Sequence, residues 1–325
     1  MQRSTKAKLL TGLATASLAV ASLFTAQQRE PSTILSKDAN IQYTYTDEQG
    51  KQVYGVLDDE SMDSIAMAKT KNTMVVKTSA FIAYGEEPPD NPTYLPVIVR
   101  KVSTNWPANH SRTGYWRPAP GGVSIGHPKI TAGTLGGQVC YKGNCNCFIT
   151  NAHVAGGLNG GKIGDPIYQP GPHDGGKAGD EIAKIVVVVT PKNGVTNTVD
   201  AAIACGSEST IYPEIYGIGD VNGVYENLYI GMPGVKCGRT TGCTILILTA
   251  KDVTAKIGYV VNGKLKFITF AHQLLWEGVC AGGDSGSMII TDHMLDALLF
   301  AGNDNNQVMS NDPVYLLKAL PGLVP

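Results

Sequence analysis

From about residue 117 the chain falls into short apolar runs, broken by Gly, Pro, Asn or Asp every ten residues or so. That texture predicts short antiparallel strands joined by tight turns, as in a barrel or sandwich. Strands are expected at Ile182–Thr190, Ala201–Ala204, Cys243–Thr249, Tyr259–Val261, Phe267–Phe270 and Ser287–Thr291. Residues 27–116 read differently, as polar and irregular, with Glu86-Glu87-Pro88-Pro89-Asp90-Asn91-Pro92 a loop and Tyr94–Val102 a strand. No chemistry is recognisable there. The stretch is expected to be a pro-region or small accessory domain, or an extension packed on the main domain.

The first residues carry Arg3, Lys6 and Lys8 with no acid, followed by the mostly apolar, small-residue run Leu9–Phe24. This is the grammar of a signal peptide, and the run is shorter than the roughly 20 residues a membrane-spanning helix needs. Ala19-Val20-Ala21 offers a small-x-small cleavage pattern. Residues 1–26 are therefore expected to direct export, giving a secreted or extracytoplasmic protein with no integral membrane segment after signal removal. The alternative is an uncleaved or packed N-terminal helix.

Composition sharpens the fold. Thirty-eight Gly and 18 Pro with only 16% charged residues favour a turn-rich all-β chain over a helical bundle or a disordered one. At 325 residues and 43% hydrophobic, one or two folded units are expected. Lys and Arg number 26 against 27 Asp and Glu, so no broad field draws nucleic acid, and none is expected as a partner. Seven Cys cannot all pair within one chain. A Lys142-Gly143-Asn144 turn would bring Cys140 opposite Cys145, where a disulfide fits an exported protein. The spacing with Cys147 is not a paired Cys-x-x-Cys arrangement, so a metal site is not expected. A His-Glu-x-x-His helix is missing from the sequence.

Candidate chemistry lies in three segments. Gly282-Gly283-Asp284-Ser285-Gly286-Ser287 precedes a strand and marks Ser285 as a nucleophile. A serine hydroxyl needs a base and donors for the oxyanion formed on attack at a carbonyl, and the N–H groups of Gly283 and Ser285 are candidates for those donors. His153 ends the apolar run Phe148-Ile149-Thr150-Asn151-Ala152, framing that His110, His127, His173, His272 and His293 lack. Asp200 opens the apolar strand Ala201–Ala204, where an acid is costly unless paired; a His ring N–H would pair it. Each segment alone also has a plain reading, as a turn, a strand-end His and a loop carboxylate.

Together they run in the order His, Asp, Ser, and the chain resembles the trypsin/chymotrypsin-like serine peptidases at Thr150-Asn151-Ala152-His153, Val199–Ala204 and Gly283-Asp284-Ser285-Gly286-Ser287. Gly238-Arg239-Thr240-Thr241-Gly242 is similar to a hairpin of secreted bacterial members such as α-lytic protease and the streptogrisins. Arg117-Pro118-Ala119-Pro120-Gly121-Gly122, Ser124-Ile125-Gly126-His127 and Gly133-Thr134-Leu135-Gly136 resemble a trypsin-like group that includes the plant narrow-leaf regulators. The resemblance covers 117–325 and implies two six-stranded antiparallel β-barrels of the chymotrypsin-like fold, with an active site in the cleft between them.

By the same resemblance, His153, Asp200 and Ser285 are the catalytic residues of a serine endopeptidase acting on polypeptide substrates without a cofactor. Val279, six before the nucleophile, is the base of the specificity pocket, with Phe300, Ala301 and Gly302 as its wall. Departures are visible: Val154 stands where many members have Cys, Cys237 and Cys243 are placed differently, and Ser287 replaces a common Gly. No Arg-or-Lys-Ile-Val-Gly-Gly activation site precedes the barrels, so Asp284 has no new N-terminal amine to pair with. Two rival functions are an esterase using the same triad and a catalytically silent binding module, which would normally have lost a triad member.

Overall fold

A computed structural model describes residues 41–57, 73–83, 111–225, 227–261 and 263–325. The expected signal segment at 1–26, the loop at 86–92 and the strand at Tyr94–Val102 lie outside these residues. The first strands are β1 (Ile41–Thr46), β2 (Gln52–Val56), β3 (Thr73–Lys77) and β4 (Phe81–Ala83). Then come β5 (Ala119–Gly121), β6 (Ser124–Ile125), β7 (Gly133–Thr134), β8 (Gly137–Tyr141), β9 (Asn144–Thr150), β10 (Pro166–Tyr168), β11 (Glu181–Val189), β12 (Ala201–Cys205) and β13 (Ile211–Ile215). The last part holds β14 (Pro233–Gly238), β15 (Gly242–Val261), β16 (Lys264–Gly278), β17 (Met288–Thr291), β18 (Met294–Gly302), β19 (Gln307–Asn311), helix α1 (Pro313–Ala319) and β20 (Leu323–Val324).

The first barrel is a six-stranded sheet in the order β10-β11-β12-β9-β8-β20. The bridge Gly126↔Tyr168 ties the hairpin β6–β7 to β10, at one end of this sheet. The second runs β14-β17-β18-β19-β16-β15 and closes by pairing β14 with β15. Strand periodicity explains how the two barrels meet. On β12, Ala202 and Ala204 point into the first barrel with Phe148, Ile167 and Ile185, while Ala201 and Ile203 point the other way. On that second face they join Val139 and Ile149 against Met288, Ile290 and Leu298 of the second barrel, with Leu316 of α1 and Leu320 just after it closing one end. Truncating a residue of this shared core such as Ile203 to Ala should cost about 2–5 kcal/mol.

Three disulfides staple neighbouring strands: Cys140–Cys145 across the β8–β9 turn, Cys147–Cys205 between β9 and β12, and Cys237–Cys243 between β14 and β15. Cys280 is the free thiol that the odd count required. The Cys140–Cys145 pairing is the one expected from the Lys-Gly-Asn turn.

Two features differ from the sequence reading. The separate runs at Cys243–Thr249 and Tyr259–Val261 are one 20-residue strand, β15, paired with the 15-residue β16. The polar Lys251-Asp252 between them looks like a turn, but it is a bulge: Asp252 and, opposite, His272 take positive φ while the register shifts and pairing resumes. Beyond the bulge Val253, Ala255, Ile257 and Tyr259 are buried on one face, so the hairpin continues past the barrel. The second difference is that residues 41–57 and 73–83, expected to be irregular, are strands. β1 pairs antiparallel with β15 (Tyr43↔Ala255, Thr44↔Thr254), β2 with β1, and β3 parallel with β2.

Candidate active site

The three expected residues stand on the rims of the two barrels. His153 lies in the turn that leaves β9, and Asp200 lies just before β12, the neighbour of β9 in the sheet. Ser285 occupies the turn before β17. Gly133 joins the two sides: a Cβ built there would sit 2.4 Å from a methyl of Val154, the residue after His153, and 3.1 Å from the Ser285 carbonyl oxygen. The backbone N–H of Thr134 donates to that same carbonyl at 2.8 Å. No room exists for any side chain at 133, and its absence lets the loop carrying Ser285 approach the His-bearing turn.

His153 and Asp200 are paired. Nδ1 of the imidazole lies 2.6 Å from Asp200 Oδ2, and the His153 backbone N–H donates to Oδ1 at 3.1 Å. Both side chains are buried, Asp200 completely. The backbone is fixed too: Asn311 of β19 accepts from the Asp200 N–H at 2.9 Å, and Asn151 donates to the Asp200 carbonyl at 2.8 Å. Oδ2 also accepts a third donor, the hydroxyl of Tyr259 on β15, at 2.8 Å. Sequence reasoning missed Tyr259, because a Tyr inside an apolar strand reads as core; its period-2 register with Ala255 and Ile257 was the available signal.

Ser285 is buried, and its hydroxyl donates to the Phe300 carbonyl at 3.2 Å. His153 Nε2 is buried without a hydrogen-bond partner among the described residues, so the Ser–His bond is not made in this arrangement. Gly283 takes φ +96°, which a side chain would resist, and a Cβ there would strike the Thr240 hydroxyl at 2.5 Å. Thr134 Oγ1 donates to the Gly283 carbonyl at 2.7 Å and accepts the Arg239 N–H at 2.9 Å, which fixes the peptide planes around the turn. Among the described residues no acceptor takes up the N–H of Gly283 or of Ser285.

Asp284 anchors the same turn from beneath. Its carboxylate accepts from the N–H groups of Thr240, Thr241 and Ala281 at 2.9–3.0 Å, from the Thr241 hydroxyl at 2.6 Å and from the Lys236 ammonium. Burial alone would push this acid up, but Lys236 and the Thr241 donors outweigh it and hold it below the ordinary carboxylate range. The amine that the sequence lacked at a new N-terminus is thus supplied by Lys236 of β14. Beside it, Arg239 forms a two-pronged ion pair with Asp174, Nε to Oδ2 at 2.8 Å and Nη2 to Oδ1 at 2.5 Å. This gives the Gly-Arg-Thr-Thr-Gly hairpin a local job: it carries donors for Asp284 and packs against Gly283.

The Val279 carbonyl accepts from Thr244 Oγ1 at 2.9 Å. The side chain facing Gly302 is that of Cys280, whose sulfur would lie 2.3 Å from a Cβ at 302. Phe300 and Ala301 are buried in a cluster with Tyr259, Phe270, Phe81 and Ala83. The last two belong to β4, which lies parallel to Ile257–Tyr259 and antiparallel to β18 at Ile82↔Gly302. The β18 strand at Gly302 is therefore paired with the chain's own β4. Among the described residues no group of three His, Cys, Asp or Glu is placed to hold a metal ion, and no helix is long and apolar enough to cross a membrane.

The sequence matches no protein-family model and no curated protein. Solved structures similar to it include a chymotrypsin of Cellulomonas bogoriensis (16% identity, TM-score 0.44, covering 63% of this chain and 96% of that one). The Nocardiopsis protease is similar at 18% identity and TM-score 0.46, covering 63% and 97%. Thermobifida fusca protease A is similar at 17% identity and TM-score 0.44, covering 63% and 96%. With a closed six-stranded barrel, a second six-stranded sheet and a His–Asp pair on the rim between them, the chain has a chymotrypsin-like double-barrel fold and is similar to these bacterial chymotrypsin-like serine proteases.

Proposed function

We propose that the chain is a serine endopeptidase in which Ser285 attacks a peptide carbonyl, His153 is base and then acid, and Asp200 orients it. The observation that carries this reading is the buried His153 Nδ1 to Asp200 Oδ2 contact of 2.6 Å on the rim facing the Ser285 turn. For attack, the Ser285 hydroxyl leaves the Phe300 carbonyl and donates to His153 Nε2; such bonds are often long or misaligned without substrate. Nε2 takes the hydroxyl proton as the Oγ–C bond forms and the carbonyl electrons move to oxygen, held by the N–H groups of Gly283 and Ser285. The tetrahedral species collapses, the leaving amine takes the proton from Nε2, and water then repeats the sequence on the acyl-enzyme.

With no carboxylate at Val279, the pocket suits uncharged side chains at the cleaved residue better than Lys or Arg. Residues 27–116 act in this reading as a pro-region, whose β4 holds the Gly302 edge until it is displaced. The three disulfides suit an exported protein.

Labelling with a serine-directed phosphonate tests the proposal. The full chain should react slowly and the chain cleaved between β4 and β5 quickly, with mass spectrometry locating the adduct on Ser285. Peptide hydrolysis by a correctly folded Ser285→Ala variant would overturn the reading.

A further inference from the structure

Asp200 is wholly buried, and a buried carboxylate stays ionised only when donors surround it. Two of its donors come from His153 and have already been assigned. The third comes from the other barrel. Tyr259 sits on the part of β15 that runs past the barrel, is itself buried, and reaches across to donate its hydroxyl to Asp200 Oδ2 at 2.8 Å. This is the oxygen that His153 Nδ1 approaches at 2.6 Å. The ring meets the imidazole edge-on, with centroids 5.7 Å apart and planes at 67°, and is backed by Phe270 at 6.1 Å. One side chain thus touches both members of the pair.

We propose that Tyr259 is a positioning residue for the reaction, a fourth member of the Ser285–His153–Asp200 unit that acts through Asp200. The inference rests on the peptidase reading for its kinetic consequence, though not for its geometry. A carboxylate oxygen that shares its charge with a phenol is less basic, so the Nδ1 proton stays on the imidazole and the productive tautomer is kept. The hydroxyl also fixes the plane of the carboxylate, since Oδ1 is already held by the His153 backbone. Burial first, then the charge of Asp200 and its hydrogen bond, push the phenol well above its ordinary range, so it remains a donor at every working pH. The ionisable side chains hydrogen-bonded to the Asp200 carboxylate are His153, from the β9 turn, and Tyr259, from β15. Asn151 and Asn311, from the β9 turn and β19, meet only its backbone, and β18 offers the Phe300 carbonyl to Ser285.

Tyr259→Phe removes one oxygen and leaves the ring, so it separates the hydroxyl from packing. On a peptide substrate, kcat should fall about tenfold while KM changes less than about twofold, as expected for loss of a bond to a charged group that acts in the transition state. The acidic limb of the pH–rate profile should move to higher pH, because a carboxylate without the phenol holds the imidazolium proton more tightly. A purely structural Tyr259 would lower the melting temperature and leave that limb in place.

Proton NMR of the full chain gives a readout that needs no turnover. The unaltered protein should show two low-field protons, the imidazole Nδ1–H and the phenol O–H, with a mutual nuclear Overhauser effect; in Tyr259→Phe one disappears and the other shifts. An unaltered chain lacking that cross-peak, or a Phe variant with parental kcat and acidic limb, would overturn the inference. If neither the full chain nor the chain cleaved between β4 and β5 hydrolyses the peptide, the peptidase reading fails, and the NMR arm still decides whether Tyr259 sets the His153–Asp200 pair.

Discussion

Lys236 Nζ lies 2.9 Å from Asp284 Oδ2, and neither side chain has any exposed surface. A buried pair of this kind is expensive to form but more expensive to break, because the survivor is left charged in an apolar setting. Lys236→Met should therefore destabilise the fold by about 3–5 kcal/mol, read in denaturant melts. Because Asp284 is held below its ordinary 3.8, its contribution is present at neutral pH and lost as acid protonates it, below that value. The parent's melting temperature should fall steeply there. In Asp284→Asn it should start lower and fall less; equal acid sensitivity in parent and variant would contradict this assignment.

Ser285→Ala and His153→Ala should each abolish hydrolysis about as fully as the double variant, since either partner alone has nothing to do. Asp200→Asn should lower turnover by roughly 10⁴ at neutral pH, the effect of the wrong imidazole tautomer in a known triad. Thermal melts of Ser285→Ala should match the parent. Additive losses in the double variant would mean that the residues do not act as a unit.

Asp296 gives the opposite pH dependence to Asp284. It is buried on β18, its Oδ2 accepts only from the Thr291 hydroxyl at 2.6 Å, and Oδ1 has no partner among the described residues. Burial, more than the nearby Asp292, pushes it up to about 7. A raised acid stabilises the fold below its unfolded value and loses that contribution as pH rises towards 7, so the parent should soften between about pH 4 and pH 7. Asp296→Asn should flatten that decline and raise the melting temperature at pH 8. A variant less stable than the parent at pH 8 would refute it.

Burial pushes the Cys280 thiol up to about 12, so almost none is thiolate at pH 8. Iodoacetamide should leave the native chain unmodified. In denaturant without reductant it should add one label per chain, on Cys280, because the other six cysteines are paired. More than one label would break the disulfide assignment, and rapid native labelling would mean the thiol is open to solvent.

The all-β fold was legible in the short strands and turns of the sequence, and the candidate site residues stand out in local runs, whereas the pairing of strands around them was not legible. Ser285, His153 and Asp200 sit in runs whose residue types are dictated locally, by a glycine turn or by an apolar strand that an acid or imidazole must border. Tyr259 and Lys236 look like ordinary core and surface residues in the sequence, and their roles depend on which strands the topology sets side by side. The long β15 was hidden because Lys251-Asp252, a polar pair at a bulge, imitates a turn. In the N-terminal stretch, Tyr43-Thr44-Tyr45-Thr46 and Gln52-Val53-Tyr54 carry strand-forming residues, but their polar neighbours obscure the pattern.

The pairing of β1 along β15 has a cost that falls due when the two separate. Between Thr254 and Tyr259 the backbone of β15 is occupied on that side by β1 and β4, and a chain stripped of them presents a free row of N–H and C=O groups. Leu265 and Phe267 on the same hairpin are already exposed. An open edge beside apolar side chains is a template for another copy of the same edge. What opposes self-association is charge: Lys251, Lys256, Lys264 and Lys266 stud this one hairpin, and like charges brought edge to edge repel. Those lysines make the hairpin safe to unveil at low ionic strength, and salt, by screening them, should turn the same surface into an adhesive one.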